Sequence, residues 1–200
     1  MKLVYASASP FVRKVHVLLI ETGQMADVEL LQVTTTPVNT ADEAASANPS
    51  GKIPALILAD STALYDSRVI CRYLDDRAQS GMYPADTLWK TLTLEATADA
   101  MMDAAVLMTY ERRVRPDDMV YLPWIEAQWA KIERSMLSIE NAWMDYLARD
   151  LDMAHIAVAC ALNYLDFRHP DRDWRAAVPN LAAWLADFNT RPSMTQTQPA

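Results

Sequence analysis

The chain has 200 residues, 52% of them hydrophobic and 22% charged, enough to bury a core as one domain or as two small ones, since domains commonly run about 100–150 residues. A formal net charge of −8 argues against nucleic acid or an anionic membrane surface as the main partner, and no apolar run approaches the roughly 18 residues of a membrane span. Cys71 and Cys160 form no CxxC pair and His16, His155 and His169 are scattered, so both thiols read as buried structural groups and no metal site is expected.

The opening MKLVYASASPFVRK breaks its apolar run with serines, a proline and cations, which does not fit a signal peptide. Residues 2–6 read as a short strand, 10–22 as a helix and 28–33 as a second strand, a βαβ unit. In the helix Phe11, Val15, Leu18, Leu19 and Thr22 fall on one face, and Gly23 follows where a left-handed cap would sit. The stretch 34–53 has no strand pattern, and a structureless run of about 20 residues is unusual inside a domain, so a short helix is expected over 42–47. A strand ending near Leu58, a polar turn, a brief strand ALY and a helix over 67–77 complete a ββα half.

After SGMYPAD the composition changes: no glycine follows Gly81. Helices are expected over 86–113, closed by Pro116, over 122–147, and over 152–167. The last of these is apolar all round (AHIAVACAL), which predicts burial on every side and the centre of a helical domain. The final TQTQPA reads as a frayed terminus. The fold class is therefore α/β plus all-α, with a βαβ-ββα domain over 1–80, a linker at 81–85 and an all-helical domain over 86–200.

Five motifs carry a resemblance. SPFVRKV (9–15) is similar to the start of the first helix in serine-type cytosolic glutathione S-transferases, NPSGKIPAL (48–56) to the loop before their third strand, and DSRVICRYLD (66–75) to the acid-serine pair opening their third helix. DMAHIAVACAL (152–162) resembles their C-terminal capping motif and VPNLAAWLADFNTRPS (178–193) their closing helix. The order and spacing of the motifs cover nearly the whole chain. The resemblance implies a thioredoxin-like N-terminal domain that binds glutathione as co-substrate, without a metal. It further implies a cytoplasmic, homodimeric transferase of a detoxification type, with a small hydrophobic electrophile as second substrate.

The residues themselves leave alternatives open. Ser9 before Pro10 is a favoured helix N-cap; the resemblance makes it the catalytic hydroxyl that stabilises the glutathione thiolate, with Ser7 as the alternative. A serine there does not form a mixed disulfide, which disfavours thiol-disulfide exchange. Pro54 fits an ordinary trans proline at a strand start, whereas the resemblance implies a cis Ile53–Pro54 bond that turns the Ile53 backbone towards the peptide. Asp66 and Ser67 read locally as a helix cap; by resemblance they hold the γ-glutamyl ammonium and carboxylate. Lys52 is either a solvated loop lysine or the partner of the glycyl carboxylate, with Arg13 as a further candidate. Asp99 reads as a solvated helix position, or as an acid reaching a partner subunit's glutathione. Phe11, Met102, Val106 and Tyr110 are candidate walls of an electrophile pocket, although methionines at helical spacing are more often core. Asp152 and His155 stand at the ends of a capping box that normally closes with an acid. His155 accepts there only when neutral, so the helix is expected to weaken between pH 8 and 5.

Overall fold

Strand β1 (Lys2–Tyr5) leads through helix α1 (Pro10–Glu21) to strand β2 (Glu29–Gln32), which pairs parallel to it in the register Leu3↔Leu30 and Val4↔Leu31. The structure, a computed structural model, describes residues 1–199. Helix α2 (Asp42–Ala47) precedes β3 (Ala55–Ile57) and β4 (Ala63–Leu64), which run antiparallel, and α3 (Ser67–Ala78) follows. The sheet order is β2-β1-β3-β4. Successive residues of the inner strand β1 point to opposite faces, yet Leu3 and Val4 are both fully buried, so both faces are covered. Val4 packs with Val33, Ala44, Ala47 and Ala55 around α2, while α1 and α3 pack on each other. Helix α1 stops at Thr22 because Gly23 takes a φ of +68°, a conformation that favours glycine.

The chain divides between Asp86 and Thr87 into two units. In the second, α4 (Leu88–Val114) packs on both α5 (Leu122–Ala142) and α7 (Met153–Arg168). Every residue of α7 from Met153 to Leu162 is buried, as an all-apolar helix requires. Helix α8 (Pro179–Phe188) closes this unit.

Two expectations are corrected. The helix expected over 122–147 ends at Ala142. Trp143 leaves helical geometry (φ −123°, ψ 1°), and α6 (Met144–Leu147) restarts with the Tyr146 ring edge-on to Trp143 at 5.7 Å. That break turns the Tyr146 hydroxyl to Asp152. Of the end expected to fray, Thr195 and Gln196 are helical, and residues 192–199 do not belong with the helices of 86–200; Ala200 lies outside the described residues. Helix α9 (Pro192–Gln196) packs on α1 and belongs to the first unit. Arg13 Nη2 donates to Met194 O (3.0 Å), Arg13 Nε to Thr197 Oγ1 (3.3 Å), and Ser193 Oγ to Glu21 Oε1 (2.5 Å).

Candidate functional site

Strand direction alone gathers three loops. The C-terminal end of β1 leads to Ser9. Because β3 is antiparallel to β1, its first residue Ala55 lies opposite Val4, at that same end. β4 is antiparallel to β3, with Leu64 opposite Leu56, so the chain leaving β4 returns there through Tyr65 to Asp66 and Ser67. Ser9, Ile53–Pro54 and Asp66–Ser67 therefore share one end of the sheet.

Ser9 is the N-cap of α1, with extended backbone (φ −84°, ψ 124°) and Pro10 at the first helical position. Val12 N–H donates to Ser9 Oγ (3.3 Å) and Arg13 N–H to Ser9 O (3.0 Å). A hydroxyl has one hydrogen to donate and two lone pairs to accept with, so the cap bond does not use the Ser9 hydrogen. Receiving an amide N–H also polarises the O–H. Capping and donation to an anion are thus compatible at this residue.

The loop before β3 is organised by Asn48, a residue that the sequence reading passed over. Asn48 is buried; its Nδ2 donates to Lys52 O (2.9 Å), and its Oδ1 accepts from Ser50 N (3.0 Å) and Ser50 Oγ (2.8 Å). Gly51 N–H donates to Asn48 O (2.7 Å). Gly51 has a φ of +66°, and a side-chain carbon on it would meet Thr40 Cγ2 at 2.6 Å, so only glycine fits. This ring of bonds fixes the Lys52 backbone while its side chain stays in an exposed residue. The Ile53–Pro54 bond is cis, as the resemblance implies, and the Tyr65–Asp66 bond is cis as well. Ile53 lies beyond the last β1–β3 pair, Val4↔Ala55.

Asp66 is the N-cap of α3. Its Oδ1 accepts from Arg68 N–H (3.0 Å), and its Oδ2 pairs with Arg68 Nη2 (2.9 Å). Burial opposes its ionisation, but the Arg68 hydrogen bonds and the charges of Arg68 and Lys14 outweigh this and hold its pKa below the ordinary value. Ser67, the first helical residue, is only 2% exposed. Lys14 is the second residue that sequence reasoning missed: it is fully buried on α1, and its charge acts on Asp66. The available signal was a lysine at i+3 from Phe11, on the apolar side of the helix.

The remaining candidates separate. Phe11 is partly exposed on the first unit; Val106 and Tyr110 are partly exposed on α4, whereas Met102 is fully buried there and serves packing. Asp99 is buried on α4, not on a solvated face. Arg13 is buried, and its Nη2 and Nε bond the C-terminal segment.

Residues 8–77 match a family model described as the N-terminal domain of glutathione S-transferase, and residues 123–187 one described as the C-terminal domain. An uncharacterized GST-like protein of Escherichia coli (strain K12), YibF, is 32% identical over 204 residues, a match covering 100% of this chain and 98% of its own. A crystal structure of a glutathione transferase family member from Pseudomonas fluorescens Pf-5, with bound glutathione, aligns with a TM-score of 0.97 at 46% identity. That match covers 100% of this chain and 98% of that one. A glutathione S-transferase from Methylobacillus flagellatus KT, with GSH bound, aligns with a TM-score of 0.86 at 35% identity, covering 100% of this chain and 99% of that one.

Proposed function

Because the chain belongs to the glutathione S-transferase family, we propose that it binds glutathione on its first unit and activates the thiol as a thiolate for attack on small apolar electrophiles. The observation that carries this reading is the Ser9 hydroxyl, capped through its lone pair by Val12 N–H with its hydrogen left for a further acceptor. The glutathione-bound relatives support the peptide as its partner.

A cysteine-like thiol with a pKa near 8.5 is only a few per cent ionised at neutral pH. Lowering it to about 6.5 needs roughly 2.7 kcal/mol of preferential thiolate stabilisation. A hydroxyl bond to a charged acceptor gives about 1.5–3 kcal/mol, and the N-terminus of α1 adds about 0.3–1 kcal/mol. The two effects together suffice. Ser9 donates throughout and is not a nucleophile: the thiol proton leaves to solvent, and the thiolate forms the carbon–sulfur bond. Either the electrophile's leaving group departs with its bonding pair, or an activated double bond opens and takes a proton from solvent.

The peptide would be held by the loops around Ser9. The Ile53 backbone, preceding cis Pro54, pairs with the cysteinyl residue in strand fashion. Ser67 and the first N–H groups of α3 take the γ-glutamyl carboxylate, Asp66 its ammonium, and Lys52 the glycyl carboxylate. Phe11, Val106 and Tyr110 are the candidates for contact with the electrophile. The same thiolate serves isomerisation or dehalogenation, which differ in substrate and not in these residues.

The test is a pH titration of the ultraviolet thiolate absorbance of bound glutathione, in wild type and Ser9→Ala. The expected result is a bound-thiol pKa well below that of the free peptide, rising by one unit or more in the variant, with turnover falling about tenfold or more. Saturable binding without a lowered pKa would instead identify a non-catalytic glutathione-binding protein, and an unchanged pKa in Ser9→Ala would move the role to Ser7.

A further inference from the structure

A second cavity lies wholly within the first unit, at the opposite side of the sheet from β3 and β4. It measures about 320 Å³, at the lower end for small-molecule sites. Val12, His16 and Ile20 line it at four-residue spacing along α1, with Tyr5, Met25 and Leu30 on the β1–β2 side and residues 196–198 closing it. This last wall is built into the fold: Arg13 donates to Met194 O and Thr197 Oγ1, and the Thr197 hydroxyl donates to Ser193 O (2.7 Å).

His16 sets the chemistry. Its Nε2 is buried and has no hydrogen-bond partner among the described residues, an arrangement that native interiors rarely keep without a use. Burial lowers the pKa of the ring, so it is a neutral imidazole at pH 7. Its face packs on Tyr5, with ring centroids 5.2 Å apart at 49°. The Val12, Ile20, Met25 and Leu30 walls are apolar, and methionine sulfur suits aromatic rings.

We propose that this cavity binds a planar phenolic ligand of one or two rings, with its hydroxyl paired to His16 Nε2. A phenol both donates and accepts, so it satisfies the imidazole in either tautomer. The net charge of −8 disfavours a carboxylate; Arg13 also lines the cavity, with its Nη2 and Nε bonded to the C-terminal segment, so 2-naphthoate is the control that tests this preference. Ser7 stands at its margin, but Ser9, Ile53, Asp66 and Ser67 do not line it, and the inference does not depend on glutathione chemistry.

The probe is 2-naphthol, titrated into the full chain labelled with ¹⁵N, following the His16 imidazole signals and the naphthol fluorescence. His16 resonances, assigned by their loss in His16→Phe, are expected to shift saturably. Naphthalene, which lacks the hydroxyl, and the His16→Phe variant should each bind about tenfold more weakly, the worth of one buried hydrogen bond. Leu30→Trp, at a half-exposed wall position away from His16, should fill the cavity and abolish the shift, and saturating glutathione should leave the affinity unchanged. Equal affinity for naphthalene, tighter binding of 2-naphthoate, competition by glutathione, or no saturable shift of His16 would each overturn the assignment. In the last case the cavity holds solvent only.

Discussion

Lys14 shows what a single residue adds to the site. A lysine is almost never fully buried unless an acid compensates it, and here the compensation includes Asp66 on the neighbouring helix. Replacing Lys14 by Met keeps the apolar stem and removes the charge, so the Asp66 pKa is expected to rise. A carboxyl ¹³C titration reads this directly, and an unmoved Asp66 midpoint would show that the charge is not felt. The sign for stability follows. A carboxyl whose folded pKa is lowered contributes stability above its unfolded value, near 3.9, and loses it as pH falls through the folded value. The variant should therefore differ from wild type in Asp66 linkage at neutral pH and converge with it in strong acid. The lysine was visible in SPFVRKV as a charge on an apolar face, but Asp66 lies 52 positions along the chain, and nothing local pairs the two. Asn48 was hidden for a similar reason. An asparagine before a proline reads as a turn, whereas its bonds to Ser50 and Lys52 depend on the loop closing.

At the scale of elements, the start of α7 concentrates the most polar chemistry in the helical unit. Asp152 Oδ1 accepts from Ala154 N–H (2.9 Å), and its Oδ2 accepts from the Tyr146 hydroxyl and from Thr91 Oγ1 (3.2 Å). His155 Nδ1 stands 2.7 Å from Asp152 Oδ1 but 3.2 Å from Asp152 N. Asp152 N–H donates to Nδ1, which completes the capping box, and the same nitrogen lies within hydrogen-bond distance of the carboxylate. The capping box read from the sequence is present, and a further weakening is expected at lower pH, set by Asp152. Burial opposes ionisation of Asp152, yet the His155 and Tyr146 hydrogen bonds and the His155 charge prevail and lower its pKa. Its contribution is present above about 3.9, the unfolded value, and is lost as pH falls further. Asp152→Ala should cost about 2–4 kcal/mol, from the lost cap and the hydroxyls left without an acceptor. Melting curves of wild type and Asp152→Asn at pH 7, 5 and 3 should show a gap that holds to pH 5 and narrows by pH 3; a gap that already closes at pH 5 would return the control to His155. Most element boundaries were legible because each had a local signal: Ser9-Pro10 and Gly23 around α1, and Asp152 before an apolar run. Trp143 was not, because nothing in ENAWMDY marks a break, and the bond from Tyr146 to Asp152 that accompanies it involves the next helix cap.

For the whole molecule, the division into an α/β unit and a helical unit was legible in composition, since glycine vanishes after Gly81 and the apolar period changes. The return of α9 to α1 was not, because Arg13 and Met194 are 181 positions apart and a short polar terminus carries no periodic signal. One surface feature bears on assembly. Trp89 is 79% exposed on α4, next to a groove of about 540 Å³ lined along the same helix by Leu92, Ala96 and Ala100, with Ser135 of α5 opposite. Were two copies to pair on this face under two-fold symmetry, Trp89 of one would meet the groove of the other and the reverse contact would form at the same time. This face is the candidate interface for the homodimer expected from the family resemblance. Sedimentation velocity should therefore give a species of twice the 22.5 kDa chain mass. Trp89→Glu, which sets a charge against that apolar strip, should shift it to single-chain mass with α-helical circular dichroism retained. Ala96→Trp, which fills the groove while leaving Trp89 in place, should do the same. A wild-type chain sedimenting as one copy at micromolar concentration would sink the dimer, and a dimer indifferent to both substitutions would move its interface away from α4.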